Sequence, residues 1–378
     1  MNRSLRRVVL YNMVQKSPSS LSLLGNSTGL LDFTKDTTSL FVSYFALLLF
    51  DVILTSTVII SAGAMLGFTL AKLSNLNISG SSPGSFKSSA IPGEWYYLSH
   101  GVYRFGITLH LSTVLPSGIL MVWQFVPFIR KRYYTFHRIN GYTVIILILL
   151  SNIGALMIAR RAFGGGLDVQ SAVGALVVLS TTSLALAMWN IWRLQIDQHR
   201  AWMLRAVFYM GTIITTRVIQ TAAAAIVSKE GQYYQIQTCD QVASIFGASI
   251  PPPAIAIKYL QCLNATVDLP IPVNANLYGS QEQIGASLGM AFGMALWMSI
   301  LLHLVGVEIY LNLTPAESTR LRSISYERQL ECGLAHPGSA GITSDRWGDA
   351  PAWVRPERTD RIQSIARVPA SLVSTAQK

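Results

Sequence analysis

Charge is scarce in this chain. Asp, Glu, Lys and Arg together make up 12% of its 378 residues, about half the share of an ordinary soluble domain. Histidine occurs six times and cysteine three times. No His-Glu-x-x-His zinc motif or Walker A loop is present. The shortage of charge argues against a soluble fold, and the missing motifs remove the common zinc-hydrolase and P-loop nucleotide-binding chemistries. The apolar segments also lack the strict alternation of a membrane β-barrel.

Long apolar runs stand in place of charge, with 51% of residues hydrophobic. About 20 helical residues cross a 30 Å hydrocarbon layer. Six runs meet that length: 45–71, 105–129, 139–159, 171–192, 203–228 and 284–311. Residues 39–71 are too few to cross twice, and Asp51 is placed near an interface, so 52–71 is read as the core of the first span. The expectation is an all-α integral membrane protein of about six transmembrane helices. Its parts are a basic arm over 1–38, a membrane domain over 39–312 and a polar, disordered tail over 313–378.

The net charge is +11. Its placement matters more than its size. Lys and Arg concentrate in the arm (Arg3, Arg6, Arg7, Lys16, Lys35), after the second span (Arg130, Lys131, Arg132, Arg138), before the fifth (Arg193, Arg200, Arg205) and after the sixth (Arg320, Arg322, Arg328). Six spans put all four regions on one side, which the positive-inside rule makes cytoplasmic, with both termini. Arg160 and Arg161 are a local exception. The basic residues do not form one patch, so the expected partner is the lipid bilayer and not nucleic acid.

The opposite side carries the sequons Asn77-Ile78-Ser79 and Asn264-Ala265-Thr266 and the cysteine pair Cys239 and Cys262. Glycosylation at Asn77 and Asn264 and a 239–262 disulfide fit an oxidising compartment. They point to the secretory pathway or plasma membrane. The basic, Ser-rich arm also fits a mitochondrial transit peptide, so the mitochondrial inner membrane is the alternative. The first 38 residues lack an apolar core, and no cleavable signal is expected.

Ionisable residues inside a span are costly and are read first as functional. His110 and Arg217 fall in the outer half of spans two and five. His137, His199 and His303 form an inner tier, with His137-Arg138 and His199-Arg200 each at the foot of a hairpin. One reading makes His137 and His199 axial ligands of haem b in a membrane electron carrier, with His303 able to replace either. The other is non-enzymatic: the His-Arg corners are structural, Arg138, Arg200 and Arg205 contact lipid phosphate, and His110 and Arg217 line a cavity for a small solute. Gly285, Gly289 and Gly293 form a small-residue face on span six. It serves packing within the chain or, as the alternative, a homo-oligomer.

The segments "LHLSTVLPSG", "QFVPFIRKRYYTFHRINGY", "GALMIARRAFGGGL" and "RLQIDQHRAWMLRAVFYMGTIITTRVI" resemble the fungal branch of the membrane family called domain of unknown function 2306. The resemblance runs from Pro92 to Val218 and more loosely to Gln241. It implies a polytopic membrane protein and no assigned reaction or small-molecule ligand. The characteristic positions it carries over are His110, His137, Arg138, Gly141, His199, Arg200, Trp202, Met203 and Arg205. The first span departs from the family pattern.

Overall fold

A computed structural model describes residues 62–247, 257–262 and 268–356. The helices used below are α1 Glu94–Leu98, α2 Gly101–Phe125, α3 Tyr134–Ile158, α4 Leu167–Trp192, α5 Ile196–Glu230, α6 Cys239–Ile245, α7 Gln281–Asn312 and α8 Pro315–Glu331. Among the described residues, α2, α3, α4, α5 and α7 are long and apolar enough to cross a membrane. Most of the expected span 45–71 lies outside the described residues; 62–72 are helical. The large apolar side chains Ile146, Ile153, Val178, Val218, Leu301 and Leu302 are exposed on these helices. Helices satisfy their own backbone groups and can present such faces to hydrocarbon. The chain is an all-α membrane protein.

It forms two compact units. The smaller holds 62–73 and 118–141 among the described residues. There Asn140 Nδ2 donates to the Leu120 carbonyl at 2.9 Å, and Gln124 Nε2 to the His137 carbonyl at 3.2 Å. These bonds tie the end of α2 to the start of α3 around the first His-Arg pair.

The larger unit holds 74–117 and the described residues from 142 onward. In it α7 packs along α5, and α4 against both. The parts of α2 and α3 within this unit meet at two glycines. A Cβ on Gly154 would lie 2.7 Å from both the Gly106 carbonyl oxygen and the His110 nitrogen. Just beyond the crossing, His110 Nδ1 donates to the Ser151 carbonyl at 3.1 Å, with the Ser151 hydroxyl 2.9 Å away. Asn152 Nδ2 donates to the Ser180 and Thr181 hydroxyls, both at 3.0 Å, and joins α3 to α4.

A small lid caps the end of this unit where α4 begins. Strand β1 (Tyr234–Thr238) pairs antiparallel with β2 (Pro270–Asn274), Ile236 opposite Pro272. Cys239 and Cys262 are joined by a disulfide, and Val242, Ile271, Val273 and Ala286 pack with them. Thr238 and Gln241 close a capping box at the start of α6. Closing a loop with sequence separation 23 stabilises the folded lid by about 3 kcal/mol in the chain-entropy picture. Cys239→Ser should therefore make the lid protease-sensitive under non-reducing conditions while α4 and α5 stay protected. Unchanged proteolysis of the variant would mean that the apolar core holds the lid without the bond.

The small-residue face of α7 packs within the chain. A Cβ on Gly285, Gly289 or Gly293 would collide with the Pro92 carbonyl, the Gln235 amide or the Asp168 carboxylate, respectively.

The tail departs from expectation. Residues 313–378 read as disordered because they are polar, yet α8 and the segment that follows it fold onto the turn between α4 and α5. Gln195 Nε2 donates to Asp197 Oδ1 at 2.7 Å and to the Gly338 carbonyl at 3.0 Å. Gln195 Oε1 accepts from Gln329 Nε2 at 2.9 Å and from Gly341 N–H at 3.2 Å. The Ser325 hydroxyl accepts from Ile196 N–H at 2.8 Å, and Asn190 Oδ1 from Ile342 N–H at 2.8 Å. Arg322 pairs with Asp345 at 2.6 Å and lies over the Trp353 ring. Polar side chains build this interface by satisfying one another, so low hydrophobicity does not reveal it. Residues 357–378 lie outside the described residues.

Candidate functional site

Helix α5 is continuous, so His199 and Arg217, eighteen residues apart by position, are about 27 Å apart along its axis. His199 Nδ1 donates to the Ala187 carbonyl at 2.9 Å, near the end of α4. The Arg217 guanidinium lies 4.8 Å from the Phe163 ring centroid and 5.6 Å from that of Phe292. Phe163 precedes the first turn of α4. Arg217 is therefore level with the start of α4, and residues 218–230 run on toward the lid.

The same holds for α7 on the N-terminal side of Phe292. The lengths alongside α4 are 196–217 and 292–312, each close to the roughly 20 residues that cross hydrocarbon. Helices α5 and α7 contain the expected spans 203–228 and 284–311 and extend beyond them at both ends. Arg217 stands level with the start of α4, at a mouth formed with Phe163 and Phe292.

The mouth is built around Phe163. Its backbone is left-handed, with φ 54°, a conformation that costs a non-glycine residue about 1–2 kcal/mol. Its ring stacks on Phe292 with centroids 3.6 Å apart and planes 7° apart. Its N–H donates to Glu94 Oε1 at 3.3 Å. One residue thus presents a ring to the cation and a backbone donor to the carboxylate.

Glu94 is 8% exposed. Burial pushes its carboxyl above the usual carboxylate range, and Arg217 and the Phe163 N–H draw it back only in part. Arg217 Nη1 donates to Gln220 Oε1 at 3.0 Å, and Gln220 Nε2 to the Leu288 carbonyl at 2.8 Å. Among the described residues Arg217 makes no other hydrogen bond, and Glu94 and Arg217 form no direct ion pair. Glu94 and Arg217 thus meet the same strained residue, one through its backbone and the other over its ring. Strain of this kind is retained where the surrounding structure enforces it, often at binding sites.

The residues expected to share a site are partly separated. His110 engages Ser151 on α3, whereas Arg217 engages Gln220, Phe163 and Phe292, so the two do not share these contacts. His303 Nε2 meets the Thr215 hydroxyl at 2.8 Å, and a Cβ on Gly211 would be 3.3 Å from its ring. That level is 12 to 16 residues beyond His199 on α5, roughly 18–24 Å along the axis. His303 does not belong to one tier with His199. His137 lies in the smaller unit.

Arg205, expected at lipid phosphate, donates through Nε and Nη2 to Glu308 at 2.6 and 2.9 Å and lies over the Trp202 ring. Arg200 donates to the Thr314 hydroxyl at 3.1 Å. The closer carboxylate and hydroxyl of the same chain take these donors and join α5 to the end of α7. Arg138 is exposed.

Asn77 is exposed; its Oδ1 accepts from Gly80 N–H at 3.1 Å and its Nδ2 donates to Ser82 at 3.3 Å. Asn264 lies outside the described residues. The sequence reading missed Glu94, Phe163 and Phe292. The available signals were one acid in an aromatic loop, "PGEWYY", and one bulky residue beside three glycines, "AFGGG".

Apolar helix exteriors, long apolar helices and a folded disulfide-linked lid define a polytopic α-helical membrane protein. Residues 107–245 match the family described as "Predicted membrane protein (DUF2306)", in keeping with the resemblance read from the motifs. The chain is also similar to "Ava biosynthesis cluster protein G" of Aspergillus versicolor, 22% identical over 288 residues, which cover 64% of this chain and 84% of the relative. No solved structure matches. Phe163 and Arg217 fall inside the family segment; Glu94 and Phe292 fall outside it.

Proposed function

We propose that this chain is a non-enzymatic membrane protein that binds the polar end of a small amphiphilic molecule between Glu94 and Arg217, as a binding or transport step at the membrane surface. The observation that carries the reading is the Phe163 hinge, which meets Glu94 through its N–H and Arg217 through its ring, with guanidinium donors unused among the described residues. Apolar rings beside a few polar groups are the usual lining of a small-molecule site. The name of the Aspergillus versicolor relative ties that protein to a biosynthesis cluster, which favours a small molecule over a macromolecule.

We place the lid on the non-cytoplasmic side. The basic residues cluster at the opposite ends of the spans, and the disulfide suits the secretory pathway or plasma membrane. A glycan on Asn77 belongs to the same placement.

The test uses three naphthyl probes, an alcohol, a sulfonate and a quaternary ammonium, with the full chain in lipid nanodiscs. At least one should bind, and Arg217→Gln should weaken it about tenfold or more, the scale of one lost charge-assisted hydrogen bond of about 1.5–3 kcal/mol. Equal binding of every probe to the wild type and the variant would overturn the reading.

A second reading, haem b binding, draws support from His199. Its Nδ1–H is held by the Ala187 carbonyl, which leaves Nε2 as the ligating nitrogen, the arrangement typical of metal-bound imidazoles. A Soret band on protein purified from haem-replete cells, lost in His199→Leu, is the expected signature. Colourless folded protein would remove this reading.

A further inference from the structure

We infer that the molecule held at this mouth carries a negatively charged head, which Arg217 binds through its unused donors, and that Glu94 takes up one proton from water as it binds. This rests on the site proposed above and adds the charge of its occupant and the coupling.

The geometry favours an anion over a neutral or cationic head. Arg217 is a planar fork of donors, and such a fork matches the oxygens of a carboxylate or sulfonate. Its only hydrogen bond in the described residues goes to Gln220 Oε1 through Nη1. Phe163 and Phe292 cover the guanidinium with apolar rings, which suits the hydrophobic part of an amphiphile next to its head.

Glu94 is the internal counter-ion. It is near enough for Arg217 to act on its titration, without a direct pair. An incoming anion next to an ionised Glu94 would put two negative charges against one guanidinium in a partly dry mouth. Protonating Glu94 removes that repulsion. The group is suited to the change because burial already favours its neutral form, and the Phe163 N–H can donate to a carboxyl or a carboxylate oxygen.

The other charges around α1 have different partners. Arg161 stacks on Tyr97 and Arg104 on Trp95. Asp168 lies against Gly293 of α7. Asp240 of the lid helix and Asp268 act on Tyr96 and not on Glu94. Among the described residues Arg217 is the charged group that acts on Glu94.

The sign follows from linkage. If the anion-bound form holds one proton more than the empty form, anion affinity falls with rising pH, about tenfold per unit above the Glu94 pKa of the empty protein. The probe is 2-naphthalenesulfonate, whose charge is fixed, so any pH dependence belongs to the protein. Binding to the full chain in nanodiscs is measured from about pH 5 to about pH 8. Proton uptake is read on the wild type alone, by calorimetry in buffers of different ionisation enthalpy.

The expected result is affinity that weakens with pH, with up to about one proton taken up per anion bound. Glu94→Gln, which keeps the shape and still accepts from Phe163 N–H, should bind at all pH values with the affinity the wild type shows at low pH. A flat wild-type profile without proton uptake would overturn the inference, as would a Glu94→Gln variant that keeps the wild-type slope. If the naphthyl alcohol binds in an Arg217-dependent way and the sulfonate does not, the anion is wrong while the site stands. If no probe depends on Arg217, both fail.

Discussion

Gly154→Leu should separate α2 from α3 and lower stability by about 3 kcal/mol or more, the upper range for overpacking. The reason is what the new side chain would meet. A Cβ at this position already lies 2.7 Å from the Gly106 carbonyl oxygen and the His110 nitrogen. Both are backbone atoms of a facing helix and cannot rotate away as a side chain would. Moving α2 outward also stretches the bond from His110 to Ser151 and leaves a half-buried imidazole without its acceptor, a further cost of about 1 kcal/mol. Thermal unfolding in detergent reads the effect. Gly154→Ala should fall between the wild type and the leucine variant, and a leucine variant as stable as the wild type would mean that the helices have room to part.

Gln195→Ala should release the C-terminal segment from the α4–α5 turn. The side chain has no exposed surface and makes four hydrogen bonds, to Asp197, Gly338, Gln329 and Gly341. Removing it strands donors and acceptors on several partners at once. Each buried group left unpaired costs about 1–3 kcal/mol, so a total of about 3–5 kcal/mol is expected even after partial rescue by water. Hydrogen exchange is the direct measurement: protection of α8 and of residues 338–342 should fall together. Loss confined to the mutated turn would show that α8 is held by its other contacts, chiefly Arg322 with Asp345.

The membrane helices were legible in the sequence because lipid leaves one solution for an apolar run of that length, and the five described spans lie where such runs occur. Their levels were not legible. A run states how long a helix can be, and says nothing about where the hydrocarbon stops along it. Helices α5 and α7 run past the apolar stretches 203–228 and 284–311, because polar residues such as Gln198 and Gln283 extend a helix without adding to its hydropathy. Glu94 was hidden for a related reason. It sits in a loop whose Trp and Tyr residues resemble an interfacial belt, and nothing in one dimension folds that loop back over a cation more than a hundred positions away. The tail was misread because its contacts are between polar groups, which carry no hydrophobic period. The histidines sort by hydrogen-bond partner: His110 to Ser151, His199 to Ala187, His303 to Thr215.

The origin of the mouth in chain order bears on how the protein is made. Its parts come from positions 94, 163, 217 and 292, so the earliest waits for nearly the whole membrane domain before its last neighbour emerges. Contacts this distant in sequence form late and slowly. During synthesis the guanidinium of Arg217 is in place while Phe292 is still within the ribosome, and Phe163 has no stacking partner to hold its left-handed backbone. A chain stalled or truncated before α7 would present an unshielded cation and an open hinge at the membrane surface, the kind of partly folded intermediate that quality-control factors recognise. Insertion of α7 would then be the event that brings Phe292 to Phe163 and closes the hinge.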